Sequence, residues 1–180
     1  MIIANLPIEG CLKLTNYENK DNRGSSFSLF SSEELLQKGY FFSLDQVYVS
    51  ENTKEGTIRG LHYQDKPFEQ QKIVTCTQGS IFDVILDLRE HSKTYLDYIY
   101  INLNSQFKES IYIPAGCAHG FQTTCPNTRV DYLISGKYEM NYSRGIKYND
   151  PFFNISWPIE YDITISEQDE NWGDFNCPKK

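Results

Sequence analysis

Between Gly56 and Thr77 the chain reads GTIRGLHYQDKPFEQQKIVTCT, which gathers Arg59, His62 and Lys72 into one short stretch of a protein with 3 histidines. An imidazole titrates near neutral pH and can take a proton from carbon, while a lysine and an arginine beside it can hold negative charge that develops on an oxygen. Thr57 to Gln64 reads as a strand, a Pro-containing turn follows, and a second strand opens with Lys72, the layout of a hairpin with its polar groups aimed at one spot. Arg59 and His62 stand an odd number apart and fall on opposite faces of a regular strand, unless Gly60 makes a bulge. Lys72, Val74 and Cys76 share a face, as do Val130, Tyr132 and Ile134, so an interior carrying Lys72 and Tyr132 points both into one barrel mouth.

The elements that must hold these groups read as β from Phe41 onward. Strands are expected at 42–50, 57–64, 72–77, 80–88, 95–103, 109–113, 119–124 and 128–135, with Gln78-Gly79 as a hairpin turn. Strands at such short spacing, with no crossover helix between them, point to an all-β barrel or jelly roll and exclude a parallel α/β sheet. Before them come an extended arm at Ile2-Ile3, strands at 11–15 and 26–30 around an Asp21-Asn22-Arg23-Gly24 turn, and a short peripheral helix with Ser32 as N-cap and Gly39 as its stop. The tail offers a strand-like Ile155-Ser156-Trp157, then a helical turn opened by Ser166-Glu167-Gln168-Asp169.

At 180 residues the chain is expected to form one domain spanning 1–180, able to bury a core without disulfides or metal. Its formal net charge of -7, with scattered basic residues, argues against a nucleic-acid surface, so any phosphate must be held by a few local cations. There is no apolar run of membrane-spanning length and no signal-peptide pattern at the start, so no membrane partner and a cytoplasmic setting are expected. Cys11, Cys76, Cys117, Cys125 and Cys177 form an odd set without a CxxC pair, which fits a reducing compartment and disfavours a zinc cluster. With 13 tyrosines and 11 phenylalanines, the composition leans the same way as the strand pattern.

A second stretch, Ile111-Tyr112-Ile113-Pro114-Ala115-Gly116-Cys117-Ala118-His119-Gly120-Phe121, has the PxGxxH spacing found in the second metal motif of cupins. The HxH pair that such a site also needs is missing around His62, and His91 lies in a polar loop read as solvent-exposed, so no metal and no cofactor are expected. On the strand 80–88, Asp83 and Asp87 share a face, and Asp83 can pair with Lys72 or Arg59 inside the barrel or face solvent. Asp169, close behind Ser166, reads from local sequence as part of a helix N-terminus.

RGLHYQ at 59–64, Gln71-Lys72, Gly79 with DVILDLR at 83–89, IPAGCAHGF at 113–121, Tyr132 with Tyr138, and Arg144 to Pro151 through Trp157-Pro158 together resemble the dTDP-4-dehydrorhamnose 3,5-epimerase family, in order and over nearly the whole chain. The resemblance implies a cupin-type jelly roll, a homodimer, no metal, and a nucleotide-diphospho-4-keto sugar as substrate in deoxysugar or surface-polysaccharide biosynthesis. Inverting carbon 3 or carbon 5 beside a ketone at carbon 4 needs a base on one face, an acid on the other, and a cation for the enolate oxygen. By resemblance His62 is the base, Asp169 orients it, Tyr132 is the acid, and Lys72 holds the enolate with help from His119. Arg59 and Arg23 neutralise the diphosphate, Arg23 reaching across from the second subunit, and Tyr138 packs on the nucleotide.

The departures fall on base recognition. Where the family carries an aromatic run leading to a glutamate, this chain has Ser25-Ser26-Phe27-Ser28, and two residues after Gln46, where an asparagine is usual, stands Tyr48. Phe27 and Gln46 thus join the expected substrate contacts, and loss of a charged hydrogen bond to the base predicts a relaxed preference that admits GDP. The rival readings are a single-centre epimerase on a GDP-linked 4-keto heptose or another non-dTDP sugar, and a catalytically silent cupin that binds a sugar nucleotide. A base and an acid on opposed walls separate an enzyme from the latter.

Overall fold

The computed structural model describes residues 1–176, so Cys177 lies outside the described residues. In chain order the strands are β1 (Ile2–Asn5), β2 (Leu12–Thr15), β3 (Glu18–Asp21), β4 (Gly24–Phe27), β5 (Gln46–Asn52), β6 (Ile58–Gln64), β7 (Gln71–Gln78), β8 (Ser80–Asp87), β9 (Tyr98–Asn104), β10 (Glu109–Ile113), β11 (Cys117–Thr123), β12 (Thr128–Ser135) and β13 (Ser143–Gly145). Two short helices, α1 (Ser32–Gln37) and α2 (Glu167–Glu170), are peripheral. One sheet runs β1-β2-β10-β7-β12-β5 and the other β13-β6-β11-β8-β9, while β3 and β4 form a separate hairpin. This is the expected all-β, cupin-type jelly roll.

Alternation along the strands explains the layering. On β7 and β12, Val74, Cys76 and Val130 turn inward to meet Ile81, Ile85 and Phe121 of the facing sheet in one core cluster. Phe82, Val84 and Leu86, the other face of β8, pack outward beneath Ile146, Phe153, Ile155 and Trp157 of the tail. A strand covered on both faces reads as a nearly unbroken apolar run, and from Ile81 onward β8 does so except at Asp83 and Asp87, both fully buried. The third cluster seats Leu35 of α1 and Phe42 on Leu12, Leu14, Ile73 and Tyr112.

Several expectations need correction. Lys72 does not lie on a hairpin with His62, because β6 and β7 belong to different sheets. Gln78-Gly79 is likewise no hairpin turn: the chain changes sheets there, with Gly79 at φ +77 and a Cβ on it blocked by Thr128. The helix N-cap is Ser31 rather than Ser32, since the Ser31 hydroxyl accepts from the Glu34 N–H at 3.3 Å and Ser32 is already helical. Ile155-Ser156-Trp157 forms no strand; its apolar side chains cover the outer face of β8, and the Trp157 Nε1–H donates to the Tyr148 carbonyl at 2.8 Å. The strand expected from Phe42 begins only at Gln46.

Candidate active site

The kink in β6 decides which way the leading residues point. Arg59 sits opposite Phe121 and His62 opposite His119, so Gly60 and Leu61 together face Gly120 of β11. Gly60 has φ +123, and a Cβ there would collide with Gly120 and stand 2.8 Å from the His119 carbonyl oxygen. Only glycine fits both the conformation and the close approach. The extra residue restores phase, and Arg59 and His62 emerge on one wall of a cavity of about 620 Å³.

His62 Nε2 lies 2.6 Å from Asp169 Oδ1, and the other carboxylate oxygen accepts the Gly60 N–H at 3.1 Å. Asp169 is also the helix N-terminal residue that local sequence suggested, its N–H donating to Ser166 Oγ at 3.1 Å, so one residue serves both purposes. Burial pushes the Asp169 carboxyl upward, but hydrogen bonds from His62, Gly60 and Trp172 outweigh it and hold the group below its usual value. With Nε2 donating to the carboxylate, the remaining ring nitrogen carries the lone pair a base needs.

From the opposite sheet come Lys72 and Tyr132. The Lys72 ammonium donates to the His62 carbonyl oxygen at 3.1 Å. Burial drives its pKa down to about 8, against the pull of Asp83. Tyr132 stands edge-on to His119, with ring centroids 5.9 Å apart, and against Tyr48 at 6.0 Å. Burial, then the charge of Asp83, raises its phenol well above the usual value, so at neutral pH it is a proton donor. Asp83 does not pair with Lys72 or Arg59: its Oδ1 is 2.7 Å from His119 Nε2, the two being almost wholly buried. A second histidine–carboxylate pair therefore stands beside the first, and the inward phase of β8 was its only signal.

Arg59 Nε donates to Asn52 Oδ1 at 2.7 Å, and Asn52 is itself tied to the Thr128 carbonyl at 3.2 Å. Asn52, which fixes that guanidinium, escaped sequence reading, as did Gln70 on the cavity wall, while Ser166 and Gln168, read only as a helical turn, line the wall as well. Tyr138, Gln46 and Tyr48 also line it, all three exposed. Two expected contacts are not brought there by this chain. Arg23 is 86% exposed at the β3–β4 turn and pairs with Asp21, and Phe27 lies under Lys108, whose Nζ is 4.9 Å from its ring centroid. Ser28 is exposed, its hydroxyl donating to the Phe30 carbonyl at 2.8 Å. Asp87, with Arg89, Ser92 and Thr94, forms a separate structural network, and His91 is exposed, as expected.

Residues 5–176 match the family model described as dTDP-4-dehydrorhamnose 3,5-epimerase. The chain belongs to that family. Among curated epimerases of this family, the protein from Shigella flexneri is 36% identical over 154 residues, covering 84% of this chain and 83% of its own. A crystal structure of the Bacillus anthracis epimerase with TDP and PPi bound superposes with a TM-score of 0.93 at 31% identity, covering 97% of this chain and 99% of the other. A 3'-monoepimerase from Streptomyces bikiniensis in complex with dTDP-quinovose matches at TM-score 0.87 and 29% identity, covering 94% and 85%.

Proposed function

We propose that this epimerase inverts carbons 3 and 5 of a dTDP-linked 4-keto-6-deoxy sugar by proton abstraction and return. The observation that carries the reading is His62 on one sheet, 2.6 Å from Asp169 of α2, with the protonated Tyr132 of the other sheet lining the same cavity. His62 takes the proton from the carbon beside the ketone, and the released electron pair moves onto the carbon 4 oxygen as an enolate. Lys72 and His119 hold that charge. Tyr132 protonates the same carbon from the opposite face, and water restores both side chains to their starting protonation. Arg59 and Tyr138 hold the diphosphate and nucleotide. A homodimer in which Arg23 and Phe27 of the exposed hairpin complete a neighbouring site accounts for their distance from the cavity of their own chain. A single domain working in the cytoplasm on surface-polysaccharide precursors completes the reading.

Incubation with the dTDP-4-keto-6-deoxy sugar in deuterated water tests it directly. Deuterium is expected at both carbon 3 and carbon 5; label at carbon 3 alone would make the protein a monoepimerase, and label at neither would remove the activity. Relatives bear dTDP in their names. The relaxed base preference drawn from Ser28 and Tyr48 is therefore set aside in favour of dTDP. By calorimetry dTDP should bind more than about tenfold tighter than GDP, roughly 1.4 kcal/mol, and equal affinities would reinstate the GDP reading.

The pKa of Lys72 gives a pH prediction. The ammonium form holds the enolate, so activity is present below about 8 and is lost as pH rises through that value. An arginine stays charged throughout. Lys72→Arg should therefore move the alkaline limb of kcat/KM upward, while Lys72→Met lowers the rate at every pH. An alkaline limb that stays in place in Lys72→Arg would assign it to another group.

A further inference from the structure

Asp169 rides on a helix of 4 residues in which it is the one buried side chain, so α2 has no core of its own to hold the carboxylate in register with His62. The segment after α2 supplies the support. The Trp172 Nε1–H donates to Asp169 Oδ1 at 3.4 Å, the same oxygen that meets His62. Its indole lies on Gly145, where a Cβ would overlap the ring. Gly145 is the residue directly opposite His62 in the β13–β6 pair. Side chains of directly opposed residues stand on the same face of a sheet with Cβ atoms about 5 Å apart. The indole thus occupies the volume that a side chain at 145 would fill, on the flank of His62. Beyond it, Phe175 packs on Phe152 and Phe153, with ring centroids 5.5 and 5.0 Å away, which anchors the far end of the segment.

We infer that Trp172 is a positioning residue that fixes the Asp169 carboxylate and the His62 ring, and that Gly145 is its platform. The inference rests on His62 being the base. The indole N–H draws charge from Oδ1, so the carboxylate stabilises the imidazolium less than it would alone, and the stacked ring prevents the one-turn helix from swinging away. The other charged groups around His62 are Lys72 on its carbonyl, His119 across β11 with Asp83 behind it, and Arg59 beyond the kink. Arg144, next to Gly145, turns away to Asp65 at 2.7 Å. None of them contacts the indole N–H, so its removal acts on the His62–Asp169 pair alone.

Trp172→Phe keeps a ring on Gly145 and deletes the donor. Its kcat should fall about fivefold, and the acid limb of kcat/KM should move to higher pH by about half a unit, with dTDP affinity unchanged. Gly145→Ala evicts the indole and should cost about tenfold or more in kcat. Adding Gly145→Ala to Trp172→Ala should cost nothing further, because the ring it displaces is already gone. A purely packing role would lower kcat in Trp172→Phe without moving the acid limb, and that result overturns the inference. So do losses that simply add in the double variant. Failure of Gly145→Ala to fold leaves the Trp172→Phe profile to decide. His62→Ala serves as the control: if it keeps turnover, the base assignment has failed, whereas an inactive His62→Ala beside an unmoved Trp172→Phe limb sinks this inference alone.

Discussion

His62→Ala should abolish solvent exchange at both carbons of the keto sugar while leaving dTDP affinity within a few-fold. Of the two cavity-wall imidazoles held by buried carboxylates, His62 is the accessible one, its side chain 41% exposed against 3% for His119, and removing a general base costs roughly 100-fold to 10,000-fold. Binding is spared because the cation assigned to the diphosphate, Arg59, is fixed by Asn52 and not by His62. Deuterium incorporation followed by NMR, alongside calorimetry with dTDP, separates the two effects. Exchange persisting at the wild-type rate would take the base role from His62 and direct attention to His119, whose own carboxylate partner is Asp83.

Tyr132→Phe should uncouple exchange from inversion. Abstraction by His62 and enolate formation on Lys72 do not use the phenol, so deuterium continues to wash in by return of a proton to the original face. Net inversion needs a donor on the opposite sheet, and it should fall by about 100-fold or more, within the range typical of general-acid removal. The ring keeps its contacts with His119 and Tyr48, whose centroids lie 5.9 and 6.0 Å away, so the substitution removes a hydroxyl and little packing. Equal small losses in wash-in and inversion would place the acid elsewhere. The raised pKa of the phenol also predicts that inversion has no alkaline limb from Tyr132 itself, which leaves that limb to Lys72.

Residue type and period were enough to find the strands from 57 to 135 within a few positions, because alternation on a sheet with one buried face is a local property. They also found Gly60, since an odd Arg–His spacing around a strand glycine has few other solutions, and the inward phase shared by Lys72, Val74, Tyr132 and Val130. The membership of β6 and β7 in different sheets was not legible, and hairpins were read where the chain changes sheets. A short turn between two β runs looks the same in both cases, and only the register with distant strands tells them apart. The same limit hid the partners from residue pattern, and only the family resemblance put Asp169 beside His62. Asp169 meets His62 across 107 positions, Asp83 meets His119 across 36, and Trp172 lies on Gly145 after a long excursion of the tail. Such contacts are set by where the tertiary fold returns each segment, and a side chain buried by a remote partner leaves no mark on its own neighbours. The chain by itself thus determined which groups are able to move a proton and hold an oxyanion, while the packing of the two sheets and the anchoring of the tail decided which carboxylate serves which histidine, since only burial beside a specific partner makes an aspartate more than a helix cap.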